Sequence, residues 1–260
     1  MILDEIMRRK RAEHGKRPAT AMAEARAAAA DAPPVRGFRE ALARAAAKPA
    51  LIAEVKRRSP ARSAEWAGVV PASLAATYES AGAAALSVLT DGPDFGGSPS
   101  DLAAARGACS LPTLRKDFTV SELDVVEARA MGADAVLLIA RGLDDAELAG
   151  FGALAAELGM DALFEVHDAA EVDRALQAGA TIVGVNNRDL ATFETTLVPS
   201  LELLPTLPQG VLRVSESAIH AAEHVRAVRE AGADAVLVGT AFCSSSDPGR
   251  RVREVMGWTG

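Results

Sequence analysis

The 260 residues are 49% apolar, with a formal net charge of −7, two cysteines and four histidines, a balance that supports a sizeable core and excludes a disordered tract. The longest apolar runs reach about ten residues against the ~20 a membrane helix needs, and no basic n-region precedes an apolar h-region, so neither a span nor a secretory leader is expected. Cys109 and Cys243 are too few for a disulfide framework, and His14, His167, His220 and His224 lack metal-ligand spacing and read as solvated helix faces, so a cytoplasmic protein without a metal is expected.

Residues 1–50 hold eleven Lys/Arg against six Asp/Glu and carry +5, leaving −12 on the rest. Asp4, Glu5 and Glu13 argue against an organellar transit peptide, and the lack of interleaved aromatics argues against a nucleic-acid arm. Ile2, Leu3, Ile6 and Met7 fall on one helical face, so residues 1–48 are read as an amphipathic helical extension and 49–260 as a second unit.

The first strand is expected at "LIAEVK" (51–56), where Ile52, Glu54 and Lys56 share one face and Leu51, Ala53 and Val55 the other. Four later segments resemble one another: "AGAAALSVLTD" (81–91), "MGADAVLLIAR" (131–141), "AGATIVGVNNRD" (179–189) and "AGADAVLVGTA" (231–241). Each pairs a Gly suited to a helix C-cap with an aliphatic run suited to a strand buried on both faces. "LPTLRKDF" (111–118), "MDALFEVHD" (160–168) and "GVLRVSES" (210–217) bring the strands to eight, spaced about 20 to 33 residues apart. Helical patterns fill the gaps. Leu123, Val126 and Ala130 recur at helical spacing behind Ser121, an expected N-cap, and Asp168 opens the next helix.

Eight βα units predict a single (β/α)8 barrel, or TIM barrel, preceded by the helical extension. A doubly wound open sheet is the alternative, but no G-x-G-x-x-G follows the first strand. A barrel gathers the C-terminal ends of its strands at one mouth. Those ends read Glu54, Lys56 and Ser59; Asp91 and Phe95; Arg115, Lys116 and Asp117; Glu165; Asn186 and Arg188; Glu216 and Ser217; Gly239 and Thr240. Surface charge has no reason to choose one end of nearly every strand. A paired ion layer with no catalytic role is the competing reading, but burying ions costs several kcal/mol each unless they are paired, so a dense set of three Glu and two Lys points to function. Small residues after strands 7 and 8, with Ser217 among them, suit a phosphate site rather than simple helix capping.

The motifs "IAEVKRRSP", "VLTDGPDFGGS", "LRKDF", "LLIA", "FEVHD", "GVNNRDL" and "VSESAI", in this order, resemble the indole-3-glycerol phosphate synthase family over about residues 50 to 243, with "GFREAL" (37–42) extending the likeness. The resemblance implies ring closure of 1-(2-carboxyphenylamino)-1-deoxyribulose 5-phosphate with loss of CO2 and water, using neither metal nor organic cofactor. It implies that Lys116 is the general acid on the substrate ketone and Glu165 the second acid/base group, which handles protons of the ring nitrogen and the leaving hydroxyl. Glu54 is then the supporting carboxylate, and Lys56 steers the anthranilate carboxylate or serves as an auxiliary cation. Asn186 and Arg188 orient the same region, Glu216 holds substrate hydroxyls, and Ser59 joins the substrate-binding set. Pro60, Phe95, Phe118, Leu137 and Leu190 match the apolar pocket, and Ser217, the Ala218 N–H, Gly239 and Thr240 match the phosphate site. The expected partner is the small phosphorylated substrate, with no nucleic acid or membrane, and the chain is expected to be a monomer.

Three positions depart from the family pattern. Ala218 stands where Gly usually follows "SES", Ala61-Arg62-Ser63 replaces Ser-Lys-Gly, and Asp91 replaces a frequent Glu. If residue 218 needs positive φ, its Cβ costs roughly 1 kcal/mol or more, and loss of Gly near residue 63 is expected to stiffen a mobile loop. Competing readings are a Schiff-base barrel using Lys56 or Lys116, a sugar-phosphate isomerase, and a phosphate-binding barrel without turnover.

Overall fold

The structure is a computed structural model that describes residues 2–59, 64–66, 68–189, 192 and 194–258. Three helices come first: α1 (Ile2–His14), α2 (Ala21–Asp31) and α3 (Phe38–Arg44). Eight strands follow: β1 (Ala50–Val55), β2 (Ala85–Leu89), β3 (Thr113–Lys116), β4 (Ala135–Ile139), β5 (Asp161–Val166), β6 (Ile182–Asn186), β7 (Leu212–Glu216) and β8 (Ala235–Val238). Each is parallel to the next and β8 pairs with β1, so the sheet closes into the expected (β/α)8 barrel.

The outer helices are α4 (Pro71–Ser80), α5 (Gly92–Phe95), α6 (Pro99–Gly107), α7 (Glu122–Ala130), α8 (Asp145–Glu157), α9 (Ala169–Gln177), α10 (Val198–Leu203), α11 (Ala222–Glu230), α12 (Thr240–Cys243) and α13 (Pro248–Met256). Ser121 caps α7 in a reciprocal capping box with Asp124, and Asp168 caps α9 by accepting from the Glu171 N–H. No side chain caps α11, whose N-cap is Ala221. The glycines of the Gly-Ala repeats do what their position demands: Gly132 and Gly232 lie at φ +84 and +98, turning the chain from helix to strand. None of the described helices is long and apolar enough to cross a membrane.

The N-terminal arm straps the barrel from mouth to floor. Helix α1 lies beside the mouth with Leu3, Ile6 and Met7 buried; Ile2 lies in the helix, but its side chain is outside the described residues. Helix α2 packs on α7 through Ala21, Ala25 and Ala29. The Arg36 and Arg39 N–H groups then donate to Asp134 and Asp161 at 2.8 Å each, at the N-terminal ends of β4 and β5. Phe38 and Leu42 are fully buried on α3, each contributing about 2 kcal/mol by leaving water.

Strand register sets the level of the site. Ile139 pairs with Glu165, Asn186 with Glu216, Leu89 with Lys116 and Glu54 with Ser87. The tilted strands are staggered, so the register climbs around the barrel: Glu54 is level, through Ser87, with Leu114, two residues before Lys116. This stagger lets Glu54, Lys116, Glu165 and Glu216 of the alternate strands β1, β3, β5 and β7 converge above aliphatic residues such as Ile52, Leu114 and Leu163.

Candidate active site

A cavity of about 170 Å³ opens at the C-terminal end of the barrel. Its floor carries the ion cluster anticipated from the strand ends. Lys116 Nζ lies 2.7 Å from Glu165 Oε2 and 3.4 Å from Glu216 Oε2, and Lys56 Nζ lies 2.7 Å from Glu54 Oε1. All three carboxylates are buried. Asn186 donates from Nδ2 to Glu165 Oε1 at 3.1 Å, while its own oxygen accepts from the Arg188 N–H at 3.0 Å.

Burial and charge act against each other at every group. Burial alone would lower the Lys116 pKa, but Glu165, Glu216 and Glu54 outweigh it and raise the value, so the ammonium is held charged. Burial would likewise raise Glu165, yet Lys116, then His167, then hydrogen bonds from Lys116 and Asn186 pull it below its ordinary value. Glu216 goes the other way. Burial dominates there, Glu165 and Glu54 repel its charge, Lys116 compensates only in part, and the carboxyl is pushed up to about 7. The cluster thus holds a firm cation, a firm carboxylate and a carboxyl poised to change charge near neutrality.

Two glycines, one inside β6 and one just past the end of β8, make this packing possible. A Cβ on Gly184 would fall on the Glu216 carboxylate, and one on Gly239 would fall on that of Glu54. Gly239 was identified from the sequence as part of the phosphate site, whereas Gly184 was not singled out. A Gly inside the aliphatic run "TIVGVNN" was the available signal.

Above the floor the cavity wall is apolar: Leu137 and Ile139 from β4, Phe95 from α5, Phe118 after β3, and Leu3 and Ile6 from α1. The Phe95 and Phe118 rings lie 6.1 Å apart. The two α1 residues were read only as one face of an amphipathic helix; that this face meets the mouth depends on the course of the whole arm. On the opposite side Ser217, Ala218, Gly239 and Thr240 line the cavity together. Ser217 and Ala218 take φ +64 and +61, so the conditional expectation of a strained Ala218 holds, and Ser217 is not a helix N-cap. Arg188 also lines the cavity. Pro60, Leu190 and the 61–63 departure lie outside the described residues, and Ser59 is described only as backbone in a two-residue strand.

Three sequence readings need correction. Arg115, placed with the mouth residues, precedes Lys116 on β3 and therefore points to the opposite face. Its guanidinium donates to the Asp124 carbonyl, Asp117 and Thr90. Asp91 is fully buried as the cap of α5 and pairs with Arg9 and Lys10 of α1, so it anchors the arm instead of facing the cavity. His167 is not on a solvated helix face: its side chain is 5% exposed and sits beside Glu165. His14, also expected to be solvated, contacts Asp124 at 2.8 Å.

The sequence matches the indole-3-glycerol phosphate synthase family over residues 3–255. The fold is similar to that of thiamine phosphate pyrophosphorylase from Pyrococcus furiosus, with a TM-score of 0.61 and 16% identity, covering 81% of this chain and 95% of that one.

Proposed function

The chain belongs to the indole-3-glycerol phosphate synthase family of decarboxylating carbon–carbon lyases in tryptophan biosynthesis, and we propose that Lys116 and Glu165 carry its proton transfers. The substrate is the phosphorylated carboxyphenylamino-deoxyribulose, and the reaction closes the pyrrole ring with loss of CO2 and water. Ring closure begins with a proton on the ketone oxygen, which makes the ketone carbon a better electrophile. Lys116, held as an ammonium by its carboxylates, is the donor. The carboxylate-bearing ring carbon bonds to the former ketone carbon, CO2 departs, and its bonding pair restores the aromatic ring. The new five-membered ring then gives up one proton while its hydroxyl leaves as water with another. Glu165, within 2.7 Å of Lys116, serves this second stage as base and acid.

The single observation that carries this reading is the placement of Lys116 between two buried carboxylates of opposite disposition, Glu165 held low and Glu216 held near neutrality. The same observation weighs against a Schiff-base barrel at Lys116, which requires a free amine. Glu54 and Lys56 form the supporting pair, and Lys56 faces the substrate carboxylate together with Asn186 and Arg188. Glu216 holds substrate hydroxyls, and Leu137, Phe95 and Phe118 hold the aromatic ring; the family resemblance adds Ser59 to the substrate-binding set and Pro60 and Leu190 to the apolar pocket. The phosphate lies against Ser217, Ala218, Gly239 and Thr240.

The test is formation of the fluorescent indole product by wild type, Lys116→Ala and Glu165→Gln. Each variant should lose at least a hundredfold in kcat while still binding the substrate. Retention of full activity by either removes it from the mechanism, and wild type that binds without turnover leaves a binding protein.

The extension over residues 1–48 and the barrel over 49–260 are read as one working unit, acting as a cytoplasmic monomer without nucleic-acid partners. Among the described residues only Val70, Val198 and Leu201 are large and exposed apolar side chains, which gives a second copy little to hold. Light scattering at micromolar concentration reads the mass directly.

A further inference from the structure

We propose that His167 is a positioning residue that shares one proton with Glu165, holding it while Glu165 is ionised and returning it when Glu165 acts as an acid. The inference begins with the other side of the imidazole. Glu171 Oε2, from α9, accepts the backbone N–H of His167 at 2.8 Å and lies 3.1 Å from its Nδ1. A carboxylate only accepts, so Nδ1 carries hydrogen. Arg141 Nε holds the second Glu171 oxygen at 2.5 Å and also pairs with Asp168, so Glu171 is fixed as an anion.

With Nδ1 committed, Nε2 is the nitrogen turned toward the site. It has no hydrogen-bond partner among the described atoms and lies 3.7 Å from Glu165 Oε1. That separation exceeds a hydrogen bond by about half an ångström, within reach of a small side-chain rotation. Glu165 is buried, with its other oxygen on Lys116. A bare Nε2 lone pair facing an ionised carboxylate in a water-poor site is repulsive. One proton between the two atoms removes the repulsion, on either Nε2 or Oε1. Transfer breaks one bond to hydrogen and forms another, and the charge stays inside a set closed by Glu171, Arg141 and Lys116.

This arrangement suits an acid/base group that must give up and regain a proton in one turnover. The proposal rests on the role of Glu165 stated above, and the two fail separately. Full turnover by Glu165→Gln ends the reading of Glu165, whereas the shared proton is read independently by ¹⁵N NMR of histidine-labelled full-length protein. The His167 signals are assigned by their loss in His167→Gln. At one fixed pH the His167 Nε2 signal of wild type should lie between the positions of a protonated and a bare imidazole nitrogen, as a proton shared with Oε1 requires, and Glu165→Gln should move it to one extreme. An Nε2 signal at the same position in both proteins overturns the proposal.

Kinetics supply the second readout. His167→Gln should lower kcat at least tenfold with KM within threefold, and move the acidic limb of the kcat–pH profile upward, because Glu165 loses a cationic neighbour. Glu171→Gln should move the same limb in the same direction by less. If His167→Gln does not fold, His167→Asn, which keeps a donor toward Glu171, takes its place. A limb that stays where it is in these variants overturns the proposal and leaves His167 as a structural tie to α9.

Discussion

Lys116 and Glu165 stand on strands two apart, β3 and β5, yet their charged atoms meet 2.7 Å from each other inside the barrel. The contact ties the two proposed proton-transfer groups into one electrostatic unit, which also includes Glu216 at 3.4 Å. Neither group can be altered without shifting the others.

The first consequence concerns stability. Lys116→Met leaves Glu165 and Glu216 buried without their shared cation, and breaking such a set costs about 3–5 kcal/mol. The carboxyls respond by binding protons more tightly. The variant is therefore expected to melt well below wild type at pH 8 and to regain much of the difference at pH 5.5. Calorimetry at the two pH values checks this, and a deficit independent of pH contradicts it.

Glu216 gives the clearest pH dependence. Its carboxyl titrates near 4.5 when unfolded and at about 7 when folded. Between these values the folded state holds a proton that the unfolded state has released, so its contribution falls as pH rises from about 4.5 to about 7. Glu216→Gln removes that loss. It should match wild type in melting temperature near pH 4.5 and exceed it at pH 8 by on the order of 5 °C, while binding substrate less well. Equal melting temperatures at pH 8 contradict the raised value.

Ala218 offers a gain. At φ +61 its Cβ costs roughly 1–2 kcal/mol, part of which glycine gives back through its freer unfolded chain. Ala218→Gly should leave stability equal or slightly higher and lower KM through the phosphate site, with kcat unchanged. A dephosphorylated substrate analogue should show no such improvement in binding.

The α1 anchor predicts a binding defect at a distance. Lys10 Nζ reaches Asp117 at 2.6 Å and Asp91 at 3.3 Å, and Arg9 reaches Asp94 at 2.8 Å. Asp117 is lowered to about 2 because Arg115 and Lys10 overcome its burial. Its stabilising contribution is present above the ordinary aspartate range and lost as pH falls toward 2. Lys10→Ala should loosen the helix that carries Leu3 and Ile6 into the cavity. The expected result is a rise in KM of about threefold to tenfold, smaller loss in kcat, and faster amide exchange over residues 2–14, since one anchoring pair contributes on the order of 1 kcal/mol.

Much of this molecule was legible beforehand because two periodicities are strong. The eight aliphatic runs mark the strands, four of them behind a Gly-Ala entry, and the polar residues at the ends of most runs mark the mouth. Alternation also explains the errors. Arg115 and Lys116 are neighbours in sequence but opposite in direction, and naming both as mouth residues ignored the face each occupies. Asp91 and Asp117 carry charges whose partners, Arg9 and Lys10, lie on α1, more than eighty residues earlier in the chain. His167 lacks metal-ligand spacing, and its signal is instead its position two residues past Glu165, on the same side of the strand end. Gly184 shows the limit most plainly: its requirement comes from a carboxylate on the neighbouring strand, which no local pattern specifies.

The most direct test of the central claim separates the two proton transfers within one turnover. In a rapid-quench experiment with enzyme in excess, CO2 release and indole formation are followed side by side in wild type, Lys116→Ala and Glu165→Gln. Ring closure precedes CO2 loss and dehydration follows it. Lys116→Ala should therefore slow both signals equally, whereas Glu165→Gln should release CO2 clearly ahead of indole. Equal slowing of both signals in Glu165→Gln, or prompt CO2 release from Lys116→Ala, contradicts the assignment.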